Sequence, residues 1–190
     1  MKFLRFVVVL AALLTAAGET RAQQGVEAEA KAQFDAGVDL FESEQYEKAA
    51  VAFARAYELR PSFKITYLVA RCEDELGHYA AALEAYKRYL EEGGAQIDGK
   101  RQEEVRASIG RLKARVGELA VETDAEGATV FVDDERQGET PLDVLVYVDL
   151  GKHTVVVKQG AEELHREVIR VAGGQRVVVK VAGGRGGTET

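Results

Sequence analysis

Two stretches of this chain, 33 residues apart, carry the same kinds of residue at the same spacing, and that recurrence limits the fold more than any other feature. Tyr46, Ala49 and Phe53 are answered by Tyr79, Ala82 and Tyr86. Large and small residues aligned at a fixed period mark a repeated supersecondary unit. One unit of this size cannot bury its apolar face alone, so it must stack on a neighbour. Each stretch follows another helical segment. Phe34, Val38 and Phe41 fall at i, i+4 and i+7, one face of a 3.6-residue period, within a helix expected from about Val26 to Glu42. Thr66, Ala70 and Glu73 lie on the corresponding helix of the second unit. Breaks are expected at Glu42–Gln45 and Gly77, with stops at Pro61 and Gly93-Gly94. Gly37 sits beside the first apolar face, where a missing side chain lets another helix come close.

A further helix is expected from about Gly99 to Val116. Val105, Ile109, Leu112 and Val116 form its narrow apolar stripe, and Arg101, Glu103, Glu104, Arg106, Arg111, Lys113 and Arg115 take the other faces. So charged a back suits a terminal cap closing a stacked core against water. A free-standing coiled coil fits less well, because only about two heptads are present.

Gly37, Tyr46, Ala49, Phe53, Ala56 and Pro61 match, in order and spacing, the most constrained positions of the tetratricopeptide repeat, and the segment from about Ala30 to Gly94 resembles that family. The second unit keeps Gly77, Tyr79, Ala82 and an aromatic at Tyr86, but has Tyr89 for the small alanine and Gly94 for the proline, so its end is expected to be splayed or modified. The resemblance implies that the first helix of each unit lines a concave surface holding an extended segment of a protein partner. Carried over, that surface comprises Lys31, Phe34, Val38 and Phe41, then Lys64, Tyr67, Arg71 and Asp74. The second set stands independently as one helical face, by its spacing of 3, 4 and 3. Against this, the aromatics could be repeat-to-repeat core and the charges a solvated face.

After Gly117 the apolar period changes from 3.6 to 2. Leu119/Val121, Val130/Val132, Val144/Val146/Val148, Val155/Val157, Val168–Val171 and Val177/Val179/Val181 read as short strands. Turn residues stand between them at Asp124–Gly127, Asp134–Gly138, Leu150-Gly151, Gln159-Gly160 and Gly173-Gly174, which predicts a small antiparallel sandwich over 118–182. Its opening, Ala125-Glu126-Gly127-Ala128 followed by Val130–Asp133, Gly138 and Thr140-Pro141-Leu142, resembles the PEGA domain, a β module common in bacterial envelope proteins. The chain departs from that pattern in lacking proline at 125 and in having Gly160-Ala161 after the middle strand. The fold class expected is therefore α+β and multidomain: tetratricopeptide-like hairpins with a capping helix over 26–117, then the PEGA-like sandwich.

The N-terminus is a different kind of sequence. Lys2 and Arg5 precede an apolar run from Phe6 to Ala17, and Glu19-Thr20-Arg21 follow. That order is a secretory signal, too short to span a bilayer, with cleavage expected after Ala22 or alternatively after Gly18. Export to the periplasm or beyond follows, with no stable membrane anchor left once residues 1–22 are removed. Removal takes away three of the 25 basic and one of the 32 acidic residues, moving the formal charge from −7 to −9. Such a chain repels phosphate backbones, so no nucleic acid is expected as partner. Residues 183–190 form a Gly-rich polar tail, expected to be disordered.

Nothing in the sequence assembles a reaction centre. Cys72 is the only cysteine, so no intramolecular disulfide can form, and its apolar helical neighbours make it a buried, inert thiol. His78, His153 and His165 have no metal-ligand spacing, and Asp133-Asp134-Glu135 reads as an exposed acidic turn rather than a calcium loop. No catalytic residue, metal or cofactor is expected. The function expected is that of a non-enzymatic envelope adaptor, holding a protein segment in its helical groove and docking to an envelope component through the β module. Two rivals stand beside it: a wall- or polysaccharide-binding protein, which would favour tyrosines on an exposed sheet face and is weakened by having only Tyr147 there, and a self-assembling oligomer.

Overall fold

A computed structural model describes residues 23–142 and 145–182 of the chain. The leader with its cleavage site, the C-terminal tail and the start of the fourth expected strand at Val144 lie outside the described residues. No described helix is long and apolar enough to cross a membrane.

Among the described residues five α-helices precede seven strands, an α+β architecture. Helix α1 covers residues 23–42, α2 Tyr46–Leu59, α3 Phe63–Leu76, α4 Tyr79–Gly93 and α5 Gly99–Lys113. The second helices of the two hairpins begin 33 residues apart, at Tyr46 and Tyr79. Hairpin one closes around Phe53, which is fully buried with Ala49 and Ala56. A Cβ at Gly37 would lie 2.6 Å from the Phe53 ring, so that ring occupies the space the glycine leaves. In the second hairpin Tyr89 does not splay the end of α4: it is buried, with its ring 5.8 Å from Phe63 and 5.2 Å from Tyr67. Asp98 starts α5 by accepting from the backbone N–H groups of Lys100 and Arg101, an N-cap that supplies partners for otherwise orphaned donors.

Helix α5 stops at Lys113, and strand β1 (Val116–Thr123) begins only two residues later. Val116 closes the apolar stripe of Val105, Ile109 and Leu112 from the first residue of a strand rather than from the helix. The remaining strands are β2 Thr129–Val132, β3 Glu135–Glu139, β4 Val146–Asp149, β5 Gly151–Gln159, β6 Glu162–Val171 and β7 Arg176–Val181. They form two sheets, ordered β4-β1-β7 and β3-β2-β5-β6, around a core that includes Leu119, Val130, Val155, Val157 and Val179.

Two details differ from the sequence expectation. The pairing is antiparallel except between β1 and β7, which run parallel. Both start at the same end: the turn before β7 is bound to β1 through Gly174 N–H to Val116 O and Glu118 N–H to Gln175 O, each 2.8 Å. The second is β3, which lies where a turn was expected. Its sequence Glu-Arg-Gln-Gly-Glu has no apolar alternation to read, because it is an edge strand with no buried residue. The turn itself shrinks to Asp133-Asp134, whose φ values of 48° and 68° suit a tight hairpin with both central residues left-handed.

Thr140 explains why Thr-Pro stands at a set distance from the Glu-Gly-Ala turn. Its buried hydroxyl donates to Ala125 O and accepts from Ala128 N–H at 3.0 Å, while its backbone bonds Ala128 O and Gly127 N–H at 2.8 Å each. Thr140→Ala leaves the Ala125 carbonyl and Ala128 N–H without this partner, which should cost about 1–3 kcal/mol. Thr140→Ser keeps the hydroxyl and should cost much less, and urea unfolding of the two variants checks the ranking.

Candidate functional site

Helix α3 lies between α1 and α5, and its outward residues reach both. The Arg71 guanidinium sits 4.9 Å above the Phe41 ring on α1. On the other side, Arg101 of α5 donates to the Tyr67 hydroxyl at 2.8 Å, and Arg111 pairs with Asp74 at 2.6 Å. Of the eight residues singled out from sequence, Lys31, Phe34 and Lys64 line one open cavity of about 660 Å³, whose walls also include Ala30, Ala56 and Ile65. Tyr67, Arg71 and Asp74 line a second, of about 300 Å³, between α3 and α5. Val38 and Phe41 instead pack, half-buried, on the core of the first hairpin, and Phe34 does so from its cavity, 5.9 Å from the Phe53 ring. Lys31 pairs with Asp35, whereas Lys64 is exposed and enters none of the ion pairs found among the described residues. The contribution of α5 was not legible: its arginines look like solvated charge, and only the fold brings them to Tyr67 and Asp74.

The joint between helices and sheets is built from side chains. The Asp149 carboxylate accepts from Ala80 N–H at 2.9 Å, capping α4, whose own N-cap residue, His78, makes no side-chain cap bond. Tyr147, two residues earlier on the same strand face, packs on the helical core with the Lys87 ammonium 4.9 Å above its ring. That takes up the one tyrosine on which a polysaccharide-binding sheet face would rely. A Cβ at Gly173 would lie 2.4 Å from the Ala114 carbonyl oxygen, so any larger residue would push the β6–β7 turn off the end of the helical block. Behind the joint, His153 sits between Asp133 Oδ2, 2.6 Å from Nδ1, and the Asp149 carbonyl, 2.8 Å from Nε2.

Residues 116–182 match the model of the PEGA domain family. The match covers about a third of the chain, begins at the first residue of β1 and ends just past β7. No curated protein matches the chain. PEGA domains are typical of extracellular and periplasmic proteins.

Within the PEGA domain the acidic turn is committed to structure. Burial pushes the Asp133 carboxyl up, but the Thr154 N–H and His153 outweigh it and hold it below the usual carboxylate range. Among the described residues no group of three or more His, Cys, Asp or Glu side chains is arranged to hold a metal ion. In the helical block Cys72 is fully buried, and desolvation pushes its thiol up to about 12, where little thiolate exists to act as nucleophile. Burial likewise pushes the Tyr86 phenol up to about 12, so it lines the α3–α5 cavity as a neutral hydroxyl.

The capping role of Asp149 can be isolated. Asp149→Ala should destabilise the protein by about 1 kcal/mol, the usual worth of an N-cap. Hydrogen exchange at Ala80 should quicken in that variant, and Asp149→Asn, which keeps an acceptor, should restore most of the protection.

Proposed function

We propose that this protein is a non-enzymatic adaptor of the cell envelope, exported by a cleaved leader. Its tetratricopeptide-like helical block holds an extended segment of a protein partner, and its PEGA domain docks the complex to an envelope component. The observation that carries the reading is the exposed face shared by α1, α3 and α5. Two open cavities on it are lined by six of the residues that the repeat pattern marks for peptide contact. The wide cavity joins an apolar floor to the ammonium groups of Lys31 and Lys64, and the narrower one presents Arg71 beside a neutral tyrosine. An extended segment alternating apolar and acidic side chains complements the wide cavity, while the narrower one, lined by three arginines and three carboxylates, suits a polar stretch of either charge. The helices are already packed before binding, which lowers the ordering cost of association.

Cross-linking to an envelope extract followed by identification of the captured species tests this. The wild type should capture one protein, and Lys64→Glu/Arg71→Glu should lose it, because charge reversal on the contact face costs both attraction and fit. Capture of wall material by both forms would move the binding activity to the PEGA domain and end the groove reading.

A further inference from the structure

The two outer faces of the sandwich differ in charge. On sheet β4-β1-β7 the register sets each cation opposite a glutamate: Arg176 against Glu118 and Lys180 against Glu122. On sheet β3-β2-β5-β6 only Lys158 is set opposite a glutamate, Glu163, which Arg166 also holds. Residues directly opposite one another in a ladder share a face. Val130, Val132, Val155 and Val157 face the core, so their neighbours Phe131, Val156 and Lys158 face outward. One row across this outer face reads Arg136, Phe131, Val156, Arg166, and another pairs Lys152 with Arg170. Five of the seven Lys and Arg residues of the PEGA domain therefore share one face, in a chain with a formal charge of −7.

Part of this charge is neutralised. Arg136 pairs with Glu139 at 2.8 Å, Arg166 holds Glu163 through two bonds of 2.9 and 2.7 Å, and Asp133 lies at the hairpin end of the same face. Lys152, Lys158 and Arg170 enter no ion pair among the described residues. Lys158 stands 5.4 Å above the Phe131 ring. Val168, between Arg166 and Arg170 on the same strand, is 63% exposed, an apolar residue left uncovered among cations.

We propose that this face docks on an anionic lipid bilayer. Lys152 and Lys158 are six residues apart on β5, about 20 Å at ~3.3 Å per residue, and β3 to β6 spans about 14 Å at ~4.8 Å per strand. A broad pleated plane of separated cations suits a plane of anionic headgroups. An acidic peptide would add to a free strand edge or enter a cleft, whereas two of this face's three cations without an ion pair among the described residues, Lys152 and Lys158, stand on the inner strand β5, whose ladders are both filled. Val168 stands where an aliphatic side chain would enter the headgroup layer beside the flanking arginines. The inference rests on the docking role proposed above for the PEGA domain and names the surface it uses.

Sedimentation of the mature chain, residues 23–190, with phosphatidylglycerol vesicles, against phosphatidylcholine vesicles, tests it. Without the leader neither its apolar run nor Lys2, Arg5 and Arg21 contributes, so the comparison isolates the folded protein. The wild type should bind the anionic vesicles at least tenfold more tightly than the neutral ones, and about 0.5 M salt, which shortens screening to roughly 4 Å, should abolish the difference. Lys152→Glu/Lys158→Glu/Arg170→Glu should lose at least tenfold, and the corresponding triple glutamine variant should lose an intermediate amount at unchanged thermal stability. Lys64→Glu/Arg71→Glu should bind vesicles as the wild type does while losing its protein partner, so groove and sheet face fail separately. Equal binding to both vesicle types, or a triple glutamate variant that binds as the wild type, overturns the proposal. So does a face that ignores vesicles and retains soluble poly-glutamate, which would make its ligand an acidic protein.

Discussion

Val116 is the residue on which the two halves of this protein depend. It is the first residue of a strand, yet it is buried in the helical core beside Val105 and Leu112. Only Ala114 and Arg115 separate α5 from β1. A linker this short leaves the sheet little freedom about the helix, and the side chains across the joint remove most of the rest. Arg115 adds to them, donating to the Tyr79 hydroxyl at 2.6 Å from 4.8 Å above its ring. The helical block cannot complete its core without a residue of the sheet, and α4 lacks its cap without Asp149.

That dependence gives the arrangement a functional meaning. If the proposed groove on α1, α3 and α5 and the proposed docking face of the sandwich act together, their relation has to be held. Loose modules would let the partner move independently of the surface the protein sits on. A packed joint presents the two at a set orientation, so binding on one face does not first have to order the other.

Much of this was legible in the chain, for identifiable reasons. The hairpins announce themselves through Tyr46, Phe53 and their equivalents because a repeat demands the same packing twice. The sandwich announces itself through valines at a period of two. Strand β3 is silent because an edge strand with no buried residue has nothing to alternate. Asp149 and Ala80 are 69 residues apart, and an aspartate at the end of a strand gives no sign that it will cap a distant helix. Tyr147, the single tyrosine a sheet-face platform could have used, is part of the joint. The charge bias of one sheet face was hidden for a similar reason: Arg136, Lys158 and Arg166 are scattered in sequence, and only the strand register gathers them.

Differential scanning calorimetry of the intact protein tests the joint most directly. If helices and sheets share a core through Val116, the chain should unfold in one transition whose calorimetric and van't Hoff enthalpies agree. Two resolved transitions, with helical signal lost in one and sheet signal in the other, would show that the halves fold independently and would contradict the account.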